Sequence, residues 1–222
     1  MTCCSAGIEQ GTFESLADHW QQILEDSAEP TFFDSQTWQK TWWSEFGNDS
    51  ELQLIMVRSE SGEVNMIAPL MIDGSEISFL GSTDLVDYHD FLSRDRLSST
   101  CIQSLVSAVS QMSEIDTILL QSLPGNSPTI TQFREKAENA GWQVELEQED
   151  VAPRMDLPAS WDEYVSALRK KDRHELRRKL RRLEAVGEVN HVELSDPTDI
   201  ENSMADFIRL HRMSTPDKSA FM

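Results

Sequence analysis

Residues 52–81 read LQLIMVRSESGEVNMIAPLMIDGSEISFLG and contain three short apolar runs separated by two turn-forming segments. The runs occupy residues 52–58, 64–72 and 76–81, and the segments between them are SESGE and DGS. Apolar runs of this length, bounded by Gly, Ser and Asp, are typical of strands joined by tight turns. The stretch therefore predicts an antiparallel meander of three strands, so the protein is built around a sheet.

Helical spacing of apolar residues flanks this meander on both sides. The first helix is predicted from Phe13 to Leu24, and the second lies between an N-cap at Asp34 or Ser35 and a stop at Gly47. After the meander, the predicted elements are a helix with a stripe from Leu97 to Met112, a strand at 116–123, a helix at 128–139 and a strand at 142–148. The order α, α, β, β, β, α, β, α, β predicts an α/β fold with helices flanking the sheet.

The charge of the chain changes near residue 151. Residues 1–150 contain 6 Lys and Arg against 26 Asp and Glu, whereas residues 151–222 contain 13 of each, so the first part carries the whole net charge of −20. Two domains are therefore predicted, at 1–150 and 151–222. The second is predicted to contain strands at 152–157 and 189–194, a helix from Trp161 with Ser160 as its N-cap, and a helix at 199–212.

Composition excludes several classes of protein. The N-terminal sequence MTCCSAGIEQ has neither a basic segment nor an apolar one, so we expect a cytoplasmic protein. The longest apolar run, Met66 to Ile72, contains Pro69 and is too short to cross a bilayer, so we expect no membrane span. The cysteines, Cys3, Cys4 and Cys101, fit neither a disulfide framework nor a zinc site, and no metal is expected.

Five segments in a fixed order carry a resemblance to a known family. They are WQKTWWSEFG, VNMIAPLMI, ISFLGSTDLVDYHDF, WDEYVSALRKKDRHELRRKLRRLEAVG and FIRLHR. Over residues 30–215 the chain resembles the acetyltransferases related to the cellulose-biosynthesis protein CelD, which have a BioF2-like domain of the GNAT superfamily and are close to the FemAB peptidyltransferases. The resemblance implies two GNAT-like halves in tandem. Residues 1–150 would form the first half, with a mixed sheet, and residues 151–222 the incomplete start of the second.

The resemblance also implies a function. It suggests an acyltransferase that moves an acyl group from acetyl-CoA or another acyl-CoA to an amine or hydroxyl of a polar acceptor such as a saccharide. The GNAT phosphate loop, Arg/Gln-x-x-Gly-x-Gly/Ala, is not found; the nearest segment, QSLPGN at 121–126, has the wrong spacing and contains Pro124. We therefore expect a chain that lacks its C-terminal part and is inactive alone.

Two other functions remain open from the sequence. One is a FemAB-like transferase that uses an aminoacyl-tRNA, in which a basic helix contacts the RNA. The other is a binding module without catalytic activity, whose acidic first part recruits a basic partner.

Two groups of residues are candidates for substrate binding. Asp87, Tyr88 and Asp90 follow a predicted strand, where carboxylates beside a phenol can orient an amine or hydroxyl and accept its proton. The resemblance gives some support to the Asp-Tyr pair, although an ordinary loop explains these residues as well. His89 lacks the neighbours of a metal ligand. No residue is assigned as the catalytic base.

The second group lies on the basic helix, where nine of the 19 basic residues fall between Arg169 and Arg182. Its arginines surround a narrow stripe of leucines, and guanidinium groups suit the phosphate oxygens of coenzyme A, a nucleotide-linked sugar or RNA. An equally good interpretation places this helix against the acidic first part of the chain. The candidate substrate-binding residues are Arg173, Arg177, Arg178 and Arg181.

Overall fold

The computed structural model describes residues 7–27, 30–59, 62–94 and 98–214, with the side chain of Asn48 excepted. The chain divides into two compact units, Met1–Val151 and Ala152–Met222. We call them the first and second units and treat each by itself. Cys3, Cys4 and Leu97, which entered the sequence interpretation, lie outside the described residues.

The first unit contains a mixed sheet of six strands. They are β1 (Gly7–Gly11), β2 (Glu51–Arg58), β3 (Val64–Asp73), β4 (Glu76–Phe79), β5 (Leu92–Ser93) and β6 (Thr117–Leu119). The order across the sheet is β1-β2-β3-β4-β6, and β5 pairs with β3. The predicted meander of β2, β3 and β4 is confirmed, because both of its pairings are antiparallel. Among the described strands, the one parallel pairing joins β4 to β6.

Four helices flank the sheet: α1 (Phe13–Asp26), α2 (Gln36–Phe46), α3 (Ser99–Val109) and α4 (Pro128–Asn139). Each begins after a Ser or Thr whose hydroxyl accepts a backbone N–H of the first turn. Ser35, and not Asp34, caps α2. The prediction of an α/β fold with flanking helices is therefore confirmed.

The core of the first unit lies on both faces of the sheet. Side chains alternate along β2, so that Leu54 and Met56 pack with Trp20 of α1, while Ile55 and Val57 pack with the cluster that includes α3 and α4. All of these side chains are buried. A strand with apolar residues on both faces reads as a continuous apolar run, which explains the pattern of residues 52–58.

Three features of the first unit differ from the prediction. The sequence interpretation missed β1 and β5, which are short and only weakly apolar. The predicted strand at 142–148 is wrong, because these residues form no backbone ladder. The indole Nε1 of Trp142 donates to Ser110 Oγ at 2.8 Å, and Glu149 accepts the N–H of Ser122 at 2.7 Å. Side-chain contacts thus hold a segment that the alternating pattern assigned to the sheet.

The second unit contains three helices in its described residues: α5 (Trp161–Ala167), α6 (Lys170–Glu184) and α7 (Pro197–Ser214). Ser160 caps α5 as predicted, and the helix predicted at 199–212 is confirmed. The strands predicted at 152–157 and 189–194 are wrong, because these segments are exposed almost throughout and have no ladder partner. Val165 is the one buried side chain that the structure describes in this unit.

Candidate functional site

The segment with Asp87, Tyr88 and Asp90 leaves the sheet as a loop and then returns to it. Strands β4 and β5 pair with the same edge of β3, at Leu70–Asp73 and at Met66 and Ile67 respectively. The intervening residues 80–91 therefore bulge out from that edge. The backbone N–H of His89 donates to the carbonyl of Ser122 at 3.0 Å, which ties the loop to the chain that follows β6.

Asp90 anchors this loop to the beginning of α4. Its Oδ2 accepts the hydroxyl of Ser127 at 2.5 Å, and its Oδ1 accepts the hydroxyl of Thr129 at 2.5 Å and the N–H of Phe91 at 2.8 Å. Ser127 is the N-cap of α4, and Thr129 is fully buried. The carboxylate thus lies at the positive end of a helix dipole and is surrounded by donors. Burial raises the pKa of Asp90, and the hydrogen bonds from Ser127 and Thr129 oppose that shift.

Asp34, which precedes α2, lies near enough to Asp90 for the two carboxyl groups to interact. Burial raises the pKa of Asp34, and the negative charge of Asp90 raises it further. The N–H and the hydroxyl of Thr31 donate to Asp34 Oδ2 at 2.7 and 2.8 Å and oppose the shift. This interaction could not be predicted from the sequence, because 56 positions separate the two residues.

His89 is buried at the ends of the two parallel strands, with 6% of its surface exposed. Its ring stacks on Phe79, with 5.3 Å between the ring centroids. Neither ring nitrogen has a hydrogen bond of good geometry within the described chain. Desolvation lowers the pKa of His89, and the nearby carbonyls of Gln121 and Leu80 oppose the shift together with the charge of Glu149. His89 is therefore neutral at pH 7 and belongs to the packed interior.

Asp87 and Tyr88 differ from their neighbours, because they face solvent. Asp87 is exposed and Tyr88 is half-buried, and neither side chain hydrogen-bonds within the part of the chain that the structure describes. Of the three residues predicted in this loop, two are therefore free to contact a ligand. The carboxylate of the third, Asp90, already accepts hydrogen bonds from Ser127 and Thr129 at the beginning of α4.

The four predicted arginines lie on α6, in the second unit, and three of them already donate hydrogen bonds within that unit. Arg173 Nη1 donates to the carbonyl of Ser166 at 2.8 Å, across the junction with α5. Arg178 forms a bidentate pair with Glu175 at 2.6 and 2.9 Å, which lowers the pKa of Glu175. Arg181 makes a longer contact, 3.3 Å from its Nε to the carbonyl of Arg177. The guanidinium of Arg177 has no partner within the described residues.

The beginning of α4 does not fit the phosphates of coenzyme A. A helix N-terminus after a strand is a general site for anions, and residues 121–126 lie at such a junction. Asp90 already fills it with a carboxylate that accepts both hydroxyls of the first turn. A phosphate there would meet a like charge, and Pro124 removes one backbone donor. The first unit therefore offers no phosphate site at this junction.

The fold and the geometry define an α/β protein with a mixed sheet, a loop fixed to a helix N-terminus and a separate basic helix. No protein family, curated protein or solved structure matches the chain. None of the helices in the described ranges is both long enough and apolar enough to span a bilayer.

The environment of His89 predicts a pH dependence of stability. Its pKa is lowered from 6.5 in the folded state, so between 6.5 and the folded value the unfolded chain binds more protons. The stabilising contribution of neutral His89 is complete above pH 6.5 and is lost as the pH falls through that range. We expect one proton to give a slope of up to about 1.4 kcal/mol per pH unit in the free energy of unfolding.

Urea titrations over a pH series measure this slope. His89→Gln should flatten the profile below pH 6.5. The raised pKa values of Asp34 and Asp90 act in the opposite direction at lower pH and are common to both proteins. Equal slopes for His89→Gln and the parent would contradict the assignment.

Proposed function

We propose that this chain belongs to a GNAT-like acyltransferase, which transfers an acyl group from an acyl-CoA to an amine or hydroxyl of a polar acceptor. The observation that carries the proposal is the parallel pairing of β4 with β6 after an antiparallel meander. The chain passes through α3 between these strands, so a crossover helix follows the meander as the resemblance implies. The five segments that resemble the acetyltransferase family give further support, from the amino-acid sequence.

In this proposal the solvent-facing residues of the loop contact the acceptor. Acyl transfer needs a nucleophile held near the thioester, a donor for the developing oxyanion and a group that takes the proton. The exposed carboxylate of Asp87 and the hydroxyl of Tyr88 are available to orient the acceptor and to receive its proton. Asp90 holds these two neighbours in place, so it is a positioning residue.

The phosphates of the acyl donor are assigned to α6. Arg177 and Arg181 lie one helical turn apart and present guanidinium groups that suit phosphate oxygens. When bound, the acyl-CoA would supply the thioester, and coenzyme A would leave as the thiol. The phosphates are not placed at the beginning of α4, because the carboxylate of Asp90 excludes a phosphate there.

Calorimetric titration of the chain with coenzyme A tests this assignment. Arg177→Gln should weaken binding about fivefold, because a free guanidinium contributes about 1 kcal/mol to an exposed phosphate contact. Arg178→Gln is the matched control, since it removes the same charge one residue away but from a side chain already paired with Glu175. Absence of coenzyme A binding, or equal losses in the two variants, would reject α6 as the phosphate contact.

A second candidate is the FemAB-like transferase that uses an aminoacyl-tRNA. The observation that favours it is the number of cations on α6 that lack a carboxylate partner among the described residues. Affinity for RNA should fall steeply as salt increases, because phosphate contacts release counterions. Titration with a bulk tRNA preparation at low and moderate salt distinguishes this candidate, and no binding at low salt would remove it.

A further inference from the structure

Helix α6 exposes a stripe of leucines to solvent. Leu176, Leu180 and Leu183 recur at intervals of four and three residues, so they lie on one side of the helix. Leu180 is 39% exposed and Leu183 is 51% exposed. Val186, just beyond the helix, is also exposed. Leu176 is partly covered, whereas Leu180 and Leu183 leave an apolar surface on a strongly charged helix.

Cations surround the stripe. Residues 169–184 contain nine Lys and Arg against three Asp and Glu, a net charge of +6. Lys179 and Arg177 lie beside the leucines, whereas Lys171 is five residues from Leu176 and falls on the far side of the helix. Like charges at i and i+4, such as Arg177 and Arg181, repel each other by a few tenths of a kcal/mol in an isolated helix. An anionic surface would relieve that repulsion.

We propose that α6 binds the surface of an anionic lipid membrane. Its leucines would enter the headgroup boundary, and the flanking Lys and Arg would extend to the lipid phosphates, as on other basic amphipathic helices. RNA or a free polyphosphate would account for the cations but would leave Leu180 and Leu183 in water. An anionic bilayer offers both an apolar layer and phosphate groups, so it matches the whole surface of the helix.

The net charge of −20 does not prevent this contact. Electrostatic interactions with a membrane are screened over about 8 Å at physiological ionic strength, so the local charge of α6 decides the encounter. The leucines of the stripe are also not part of a packed core, because Val165 is the one side chain of the second unit that the structure describes as buried. A change at Leu180 or Leu183 should therefore leave the folding of the chain unaffected.

Vesicle flotation with the full chain tests the proposal. The vesicles contain equal amounts of phosphatidylserine and phosphatidylcholine, and the comparison vesicles contain phosphatidylcholine alone. We expect binding to the anionic vesicles, and a loss of at least about tenfold in affinity for the double variant Leu180→Ser with Leu183→Ser. Circular dichroism should show unchanged helix content. Equal binding to both kinds of vesicle, or no binding to either, would overturn the proposal.

A matched pair of lysine variants tests which side of α6 faces the membrane. Lys179→Gln should weaken binding to the anionic vesicles about fivefold, since each Lys near a charged surface contributes about 1 kcal/mol. Lys171→Gln removes the same charge from the far side and should weaken it less. Titration with RNA is a separate control. If the double leucine variant keeps its affinity for both the anionic vesicles and RNA, α6 is a general polyanion site and the lipid proposal is wrong.

Discussion

Replacing Asp90 by alanine is expected to lower the free energy of unfolding of the first unit by about 3 kcal/mol, because a half-buried carboxylate loses its hydrogen bonds and leaves buried donors unpaired. The carboxylate accepts the hydroxyls of Ser127 and Thr129 and the N–H of Phe91. Its removal leaves Thr129 Oγ1, on a fully buried residue, without its acceptor. The loop 80–91 would also lose its attachment to the N-terminus of α4. Urea unfolding followed by tryptophan fluorescence measures the change.

Asp87→Ala is the matched control for this prediction. It removes the same side chain from the same loop, three residues earlier, but from a solvent-facing position without a hydrogen bond in the described chain. Its effect on stability should be within about 0.5 kcal/mol. Asp90→Asn should fall between the two, because the amide keeps one acceptor. Similar losses for Asp87→Ala and Asp90→Ala would contradict the anchoring role of Asp90.

The sheet of the first unit could be predicted because its strands are continuous apolar runs. Residues 52–58 and 64–72 are buried on both faces, so their pattern could not be confused with that of an exposed loop. The helices could be predicted because a Ser or Thr cap precedes each apolar stripe. These signals are local, and the structure follows them closely.

Strands that depend on a distant partner could not be predicted in the same way. The segments at 142–148, 152–157 and 189–194 have alternating or β-branched residues, yet none joins a ladder. Residues 7–11, with two glycines and three exposed positions between them, do form a strand, because β2 offers them an edge. Strand formation here depends on an available neighbour more than on propensity.

The same limit applies to the candidate site. The sequence brought Asp87, Tyr88 and Asp90 together as one group, but the structure separates two residues whose side chains make no hydrogen bond in the described chain from one that is held in a hydrogen-bond network. That network depends on Ser127 and Thr129, which lie 37 and 39 positions away. The cap of α4 could be predicted, but its contact with Asp90 could not. Solvent-facing and tightly held residues therefore lie within four positions of one another in this loop.

Gly81 should tolerate alanine poorly. Its φ of +144° lies in a region that L-residues rarely adopt. A Cβ at this position would lie 2.5 Å from His89 Nε2 and 3.2 Å from Val86 Cγ2. The imidazole cannot withdraw easily, because it stacks on Phe79. The backbone of His89 is also held, since its N–H donates to the carbonyl of Ser122. We expect Gly81→Ala to lower the free energy of unfolding by about 3 kcal/mol, from strain and overpacking together.

A double-mutant cycle separates the two causes. In Gly81→Ala with His89→Ala the steric conflict disappears while the strain at φ remains, so the pair should be less destabilised than the sum of the single changes by about 1 kcal/mol or more. Gly125→Ala is the control, because no atom lies within 4 Å of its Cβ and its φ is not positive, and its effect should be within about 0.5 kcal/mol. Strictly additive losses would show that the imidazole does not press on Gly81. In that case the strained backbone alone would account for the glycine, and His89 would have room to move within the loop.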